Sequence, residues 1–194
     1  MLEGRNVNLR VMEKDDLDFY WEFWNNIDFY GQYESIMPQL SKTEMQKRFE
    51  VPTPFFTVTE WTRFIVEKKD GTKIGGMNHF LVQPYGVTEI GYALIPSERG
   101  KGYGTEAVQI MVDYLFLTKD IVRIQATTDV RNKPSQRILE KVGFRKEGTL
   151  RKSGFTRGEL TDECIYSILR EEWKEPKILA KTTSQSQKVS TFST

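Results

Sequence analysis

The residues with the clearest chemical potential lie in "RGKGYGTEA", where glycines occupy positions 100, 102 and 104 and Arg99 and Lys101 interleave with them. Glycines at alternate positions let successive backbone N–H groups turn inward into a concave nest, because a positive φ costs them nothing. A helical pattern starts near Tyr103, so the free N–H groups and positive dipole end of that helix face the same hollow. Arg99 and Lys101 add charge at its rim. Such a turn suits a pyrophosphate; the alternative is a plain glycine-rich strand-to-helix turn with solvated basic residues. The spacing narrows the ligand. No G-x-x-x-x-G-K-[ST] run exists, and position 105 is Thr where a dinucleotide fingerprint starting at Gly100 requires glycine. No set of kinase motifs is present. The pattern that fits is R-x-x-G-x-G, from Arg99 through Gly102 to Gly104.

Other reactive side chains are few. His79 is the single histidine and Cys164 the single cysteine. One of each does not make a zinc site, so no metal is expected. Nor do they form a nucleophile–base pair, since no orienting partner accompanies them in sequence. Cys164 lies in an apolar strand and reads as core; His79 has no assigned role. The aromatic run "FYWEFWNNIDFYGQY" reads as helix core and pocket lining rather than a base-stacking surface.

Positioning such a turn requires a regular scaffold, and the chain patterns as one. "VNLRVM" alternates as a strand. "EKDDLDFYWEFWNN" follows as a helix with Asp15 and Asp16 at its start. Ser41 and Glu44 stand at capping-box spacing for a second helix. "WTRFIVEK" and "KIGGMNHFLV" flank "KDGT", a hairpin turn. "VTEIGYALI" predicts a strand, Gly104 to Leu117 a helix, and "DIVRIQATTD" another strand. "NKPSQRILEKVGF" predicts a helix with Pro134 in its first turn and Gly143 past its end. "FRKEGTLRKS" and "LTDECIYSILR" complete the strands. The order implies an α/β fold with a mixed sheet and helices on both faces.

Composition sets the outer bounds. A chain of 194 residues fits one domain, here 1–175, and the Ser-, Thr- and Lys-rich stretch from 176 to 194 reads as a flexible tail. A net charge of +1, from 28 basic and 27 acidic side chains, argues against nucleic acid as a partner. A lone cysteine fits a reducing compartment. No apolar run approaches the roughly 20 residues of a membrane span, and "MLEGRNVNLR" has no signal-peptide core. The expected setting is cytoplasmic, with no membrane partner, as a monomer or homodimer.

With these residues in view, the sequence resembles the GNAT superfamily of acetyl-CoA-dependent N-acetyltransferases. "RGKGYGTEA" resembles that family's pyrophosphate loop. "NKPSQRILEKVGFRKEGTLR", "VNLRVMEKDDLDFYWEFWNN" and "DECIYSILREEW" resemble the RimJ/RimL-like branch, which acetylates ribosomal-protein N-termini. The resemblance implies a GNAT fold, a twisted and mostly antiparallel sheet with a splay between its two central strands. It implies acetyl-CoA as donor and a primary amine as acceptor, on a protein N-terminus or a small molecule. Backbone groups of Leu94 and Ile95 would pair with the pantetheine arm. The turn from Arg99 through Gly100, Lys101, Gly102, Tyr103 and Gly104 to Thr105 would hold the pyrophosphate. A strand N–H freed by a bulge near Tyr92 to Leu94 would polarise the thioester carbonyl.

Two roles remain in the implied chemistry. Glu89 is the candidate base for the attacking amine, directly or through water; alternation puts it on one face with Gly91 and Ala93, small residues that leave room for a substrate. The other reading of Glu89 is an outward-facing glutamate at a sheet edge. Ser135 is the candidate donor to the departing thiolate, because it lies in the helix that should approach the coenzyme sulfur; many relatives instead carry a tyrosine four residues further along, where Leu139 stands here. Ser135 also reads as an ordinary first-turn serine. Asn132 caps the same helix and would contact the pantetheine. Trp24, Tyr30 and Tyr33 would border the acceptor groove, and Asp28 and Glu34 would favour a cationic acceptor or else are solvated loop acids. The rival from another class is a non-catalytic coenzyme A-binding or partner-binding module, against which the intact loop, Glu89 and Ser135 all count.

Overall fold

Alternation and capping resolve in space, among the described residues, into an eight-stranded sheet with helices on both faces. The structure is a computed structural model and describes residues 1–27, 33, 39–50, 61–82 and 86–179. Short β1 (Leu2–Glu3) and β2 (Val7–Val11) lead through a 3-10 turn into α1 (Leu17–Asn25). Next come α2 (Lys42–Glu50) and the hairpin of β3 (Trp61–Lys68) and β4 (Lys73–Val82). Then follow β5 (Val87–Leu94), α3 (Tyr103–Thr118), β6 (Arg123–Asp129), α4 (Lys133–Val142), β7 (Arg145–Thr156) and β8 (Glu159–Leu169). The strand order is β1-β2-β3-β4-β5-β6-β8-β7; among the described residues only β5 with β6 is parallel, and the other ladders are antiparallel.

The local signals act as their chemistry requires. Ser41 Oγ accepts the Glu44 N–H at 3.1 Å, starting α2. Gly71 takes φ 82 in the β3–β4 turn. Gly143 closes α4 in the left-handed region at φ 115. β7 and β8 join through the two-residue turn Arg157–Gly158, both at positive φ, which matches strand twist.

The sheet has two apolar faces. One packs against α3 and α4, burying Val108, Ile110, Met111, Val112 and Leu115 of α3 completely against Leu9, Ile74, Ile124, Leu139 and Tyr166. Each such side chain contributes roughly 1.5–3 kcal/mol by leaving water. Cys164 belongs to this core. On the other face Ile65 of β3 clusters with Met12, Tyr20 of α1 and Met45 of α2. Beyond β8, the Asp113 carboxylate of α3 accepts Trp173 Nε1 at 3.1 Å and the N–H groups of Lys177, Ile178 and Leu179. These bonds fasten the segment 177–179 to α3. No described helix is long and apolar enough to cross a membrane.

Candidate active site

The site begins where the central strands part. β5 pairs with β4 along its whole length, from Val82↔Val87 to Gly75↔Leu94. With β6 it pairs only over Val87–Glu89, opposite Arg123–Gln125. β6 runs on to Asp129 against β8 instead. Past Glu89 the two strands diverge and leave an opening.

Backbone parity decides which groups face it. The Ile95 N–H donates to Ile74 O at 2.9 Å, towards β4. Because peptide groups alternate in direction along a strand, Ile90, Tyr92 and Leu94 turn their N–H and C=O towards the opening. Of the two residues expected to pair with a pantetheine, Leu94 is therefore oriented for it, whereas the Ile95 N–H is committed to the sheet. The β4–β5 register is continuous, so β5 has no bulge near Tyr92 to Leu94, and strand divergence rather than the expected bulge turns these groups to the opening.

The glycine turn lies at the end of β5. Gly100 and Gly102 adopt φ 77 and 89, and no atom stands within 4 Å of where a Cβ would sit on either. The first helical bond of α3 runs from Glu106 N–H to Gly102 C=O at 3.1 Å. The N–H groups of Tyr103, Gly104 and Thr105 thus precede the ladder, as helix starts require. Gly104 serves packing instead: a Cβ there would stand 3.0 Å from Ile138 Cδ1 of α4. Arg99 Nε donates to Leu94 O at 2.9 Å, bracing the strand end, and Lys101 pairs with Glu98 at 3.1 Å.

On the far side of the opening α4 starts. Asn132 Oδ1 accepts the Ser135 N–H at 3.2 Å, so the expected cap forms. Ser135 Oγ lies 2.9 Å from the Tyr92 hydroxyl of β5. Leu139 is wholly buried in the core.

Glu89 sits on the opposite face of β5, held by side chains from β6. Gln125 Nε2 donates to Glu89 Oε2 at 2.8 Å and Thr127 Oγ1 to Oε1 at 3.1 Å. Gln125 in turn accepts Arg123 Nε at 3.1 Å, and Arg123 makes a bidentate pair with Glu147 of β7 at 2.6 and 2.7 Å. Hydrogen bonds from Arg123 and then Ser167 hold the Glu147 carboxyl down at about 2, against an ordinary 4.5. Glu89 is thus a carboxylate held in place by Gln125 and Thr127 rather than a loose edge glutamate. The room expected over Gly91 is taken by Asn78, since a Cβ on Gly91 would come within 2.9 Å of Asn78 Oδ1. That oxygen is buried without a hydrogen-bond partner among the described residues.

The acceptor-side candidates separate. Trp24 packs in the α1–α2 cluster, its ring 5.8 Å from that of Tyr20. Tyr33 lines an open depression of about 380 Å³ with Arg131, Thr156, Arg157 and Glu159. Tyr30, Asp28 and Glu34 lie outside the described residues. His79 points to the α3 face, between Phe64 and Tyr114 at 6.1 and 6.2 Å, away from Glu89.

Sequence reasoning missed the side chains of Tyr92, Gln125, Thr127, Arg123 and Asn78. Period-two spacing could have put Arg123, Gln125 and Thr127 on one face, but only the parallel register sets that face beside Glu89.

Comparison with known proteins agrees with this geometry. The sequence matches the acetyltransferase (GNAT) domain family over residues 6–145. It is 30% identical over 174 residues to an uncharacterized N-acetyltransferase of Bacillus licheniformis, covering 89% of this chain and 97% of that one. It is 26% identical over 202 residues to the spermidine N(1)-acetyltransferase of Escherichia coli, covering 95% and 100%. The fold superposes with a TM-score of 0.76 on RimL, a ribosomal alpha-N-protein acetyltransferase in complex with coenzyme A, at 16% identity and 88% and 98% coverage. With the parted central strands, the glycine turn and this likeness along nearly the whole chain, the protein belongs to the GNAT family of acetyltransferases, which move an acetyl group to an amine.

Proposed function

We propose that the protein transfers the acetyl group of acetyl-CoA to a primary amine, an α-amine of a peptide or a small-molecule amine, with Glu89 as base and Ser135 as donor to the leaving sulfur. The observation that carries this reading is the opening between β5 and β6, which has a carboxylate on one side, a hydroxyl on the other and a run of unladdered N–H groups at its end. These residues fit acetyl-CoA: Tyr92 and Leu94 turn backbone groups towards an extended pantetheine, and positive φ at Gly100 and Gly102 opens the turn to a pyrophosphate. Asn132 would add its side chain beside α4. When bound, acetyl-CoA supplies an activated acetyl group as a thioester.

The chain's own residues do the rest. Glu89 receives a proton from the amine, directly or through water, because only a neutral amine attacks. Gln125 and Thr127 keep its two oxygens in place. A backbone N–H of β5 meets negative charge on the carbonyl oxygen. Ser135 offers a hydrogen bond to sulfur. A single base suits an α-amine, with an ordinary pKa of about 7.7–8.0, better than a lysine side chain at about 10.4.

The decisive experiment is a thiol-release assay with acetyl-CoA against spermidine, other small amines, and peptides with free or blocked N-termini. Transfer to peptides with free N-termini or to one class of small amine is expected, with none to blocked peptides. Coenzyme binding with no release on any acceptor would overturn the reading in favour of a coenzyme-binding module.

A further inference from the structure

We infer that Tyr92 is a positioning residue for the departing thiolate, holding the Ser135 hydroxyl so that its hydrogen points to the sulfur; this rests on the acetyl-transfer reading above. Tyr92 reaches across from β5, where its side chain shares the α3–α4 face with Ile90 and Leu94. Its hydroxyl stands 2.9 Å from Ser135 Oγ and 3.4 Å from Ser135 O, so the side-chain contact is the better bond. Asn132 fixes the Ser135 backbone through the N–H. What stays free is the rotation of the Ser135 hydroxyl hydrogen.

A serine hydroxyl has one hydrogen and two lone pairs. When Tyr92 donates to Oγ, that lone pair is occupied and the serine hydrogen must turn to another acceptor. A hydroxyl that accepts one bond is also a stronger donor in the next. The proton and electron balance calls for a donor at this point. The amine nitrogen bonds the thioester carbon, and the carbon–sulfur bond breaks with its electron pair on sulfur. Glu89 holds the proton taken from nitrogen. Sulfur bears the charge until that proton returns through water, and Ser135, braced by Tyr92, meets it meanwhile. No hydroxyl can come from the next turn of α4, because Leu139 stands there and is fully buried.

The test is a double-mutant cycle of Tyr92→Phe and Ser135→Ala, with thermal unfolding as the control for folding. Tyr92→Phe keeps the ring in its packing. At saturating acetyl-CoA it should lower kcat roughly 2- to 10-fold, the scale of one neutral hydrogen bond, with KM for acetyl-CoA nearly unchanged. In the Ser135→Ala background it should change nothing further. A second readout needs no acceptor and no turnover: ultraviolet titration of the thiol of bound coenzyme A. Tyr92→Phe should raise that thiol's pKa, and again only when Ser135 is present. An equal loss of kcat in both backgrounds, or an unchanged kcat and thiol titration, would overturn the proposal. A wild-type protein that binds coenzyme A but acetylates nothing would instead sink the acetyl-transfer reading.

Discussion

At the scale of single residues, Glu89 is set apart by what holds it. Its two oxygens take hydrogen bonds from Gln125 and Thr127, and Gln125 is braced in turn by the Arg123–Glu147 pair. Glu89→Gln should therefore reduce kcat roughly 100-fold, the usual scale for loss of a general base, while acetyl-CoA affinity measured by calorimetry stays near wild type. The acid limb of the rate profile should flatten in the variant. Wild-type turnover across pH would return Glu89 to a structural role. The sequence made Glu89 legible through the period of two along "VTEIGYALI", which separates its face from that of Tyr92. The partners were not legible, because a contact between residues 36 positions apart depends on the parallel register of β5 and β6.

At the scale of elements, two glycines of the same turn do different work. Gly102 has φ 89 with open space where a Cβ would go, whereas Gly104 has no positive φ and lies against Ile138. Gly102→Val should strain the turn by roughly 1–2 kcal/mol and weaken acetyl-CoA binding about 10-fold or more in calorimetry, with the core left intact. Gly104→Val should chiefly loosen α3 from α4 and lower Tm. Equal coenzyme affinity in Gly102→Val and wild type would refute the loop assignment. Caps and turns were readable beforehand because they are local: Asn132 and Gly143 bound α4 as their chemistry predicts. The Arg157–Gly158 turn and the length of β7 escaped notice, since β7 is mostly exposed and has no clean alternation.

At the scale of the whole molecule, the fold is tied together by buried charge. Asp16 takes Arg10 from β2 at 2.8 Å and Lys73 from β4 at 2.6 Å, and its side chain is 2% exposed. Burial alone would raise its pKa, but the hydrogen bonds from Arg10, Lys73 and the Glu13 N–H outweigh it and hold the carboxyl well below the usual carboxylate range. A depressed folded pKa contributes stability that is present above the ordinary value of 3.8 and lost as pH falls towards the folded one. Glu147 adds to the same loss between 4.5 and about 2. Thermal stability should hold down to about pH 4 and fall below it. Asp16→Ala should cost about 2 kcal/mol at neutral pH by removing the carboxylate that Arg10 and Lys73 share, although Arg10 keeps Glu67 and Lys73 the Asp15 carbonyl, and should make the acid decline shallower. An acid profile identical to wild type would remove Asp16 from that role.

Composition, periodicity and local spacing settled much of this protein from sequence alone: the α/β order, the glycine turn ahead of α3 and the cap at Asn132, while the resemblance of R-x-x-G-x-G and the segments around it carried the family. Each of these depends on neighbours within a few positions or on a repeated spacing, which a linear reading contains. The tertiary structure decided the rest. It ended the β5–β6 pairing at Glu89, turned Leu94 rather than Ile95 towards the opening, filled the space above Gly91 with Asn78, and brought Tyr92 to Ser135 across 43 positions. These outcomes depend on strand register and on where two elements diverge. Register is set by the packing of whole faces against one another, so no short stretch of the chain encodes it.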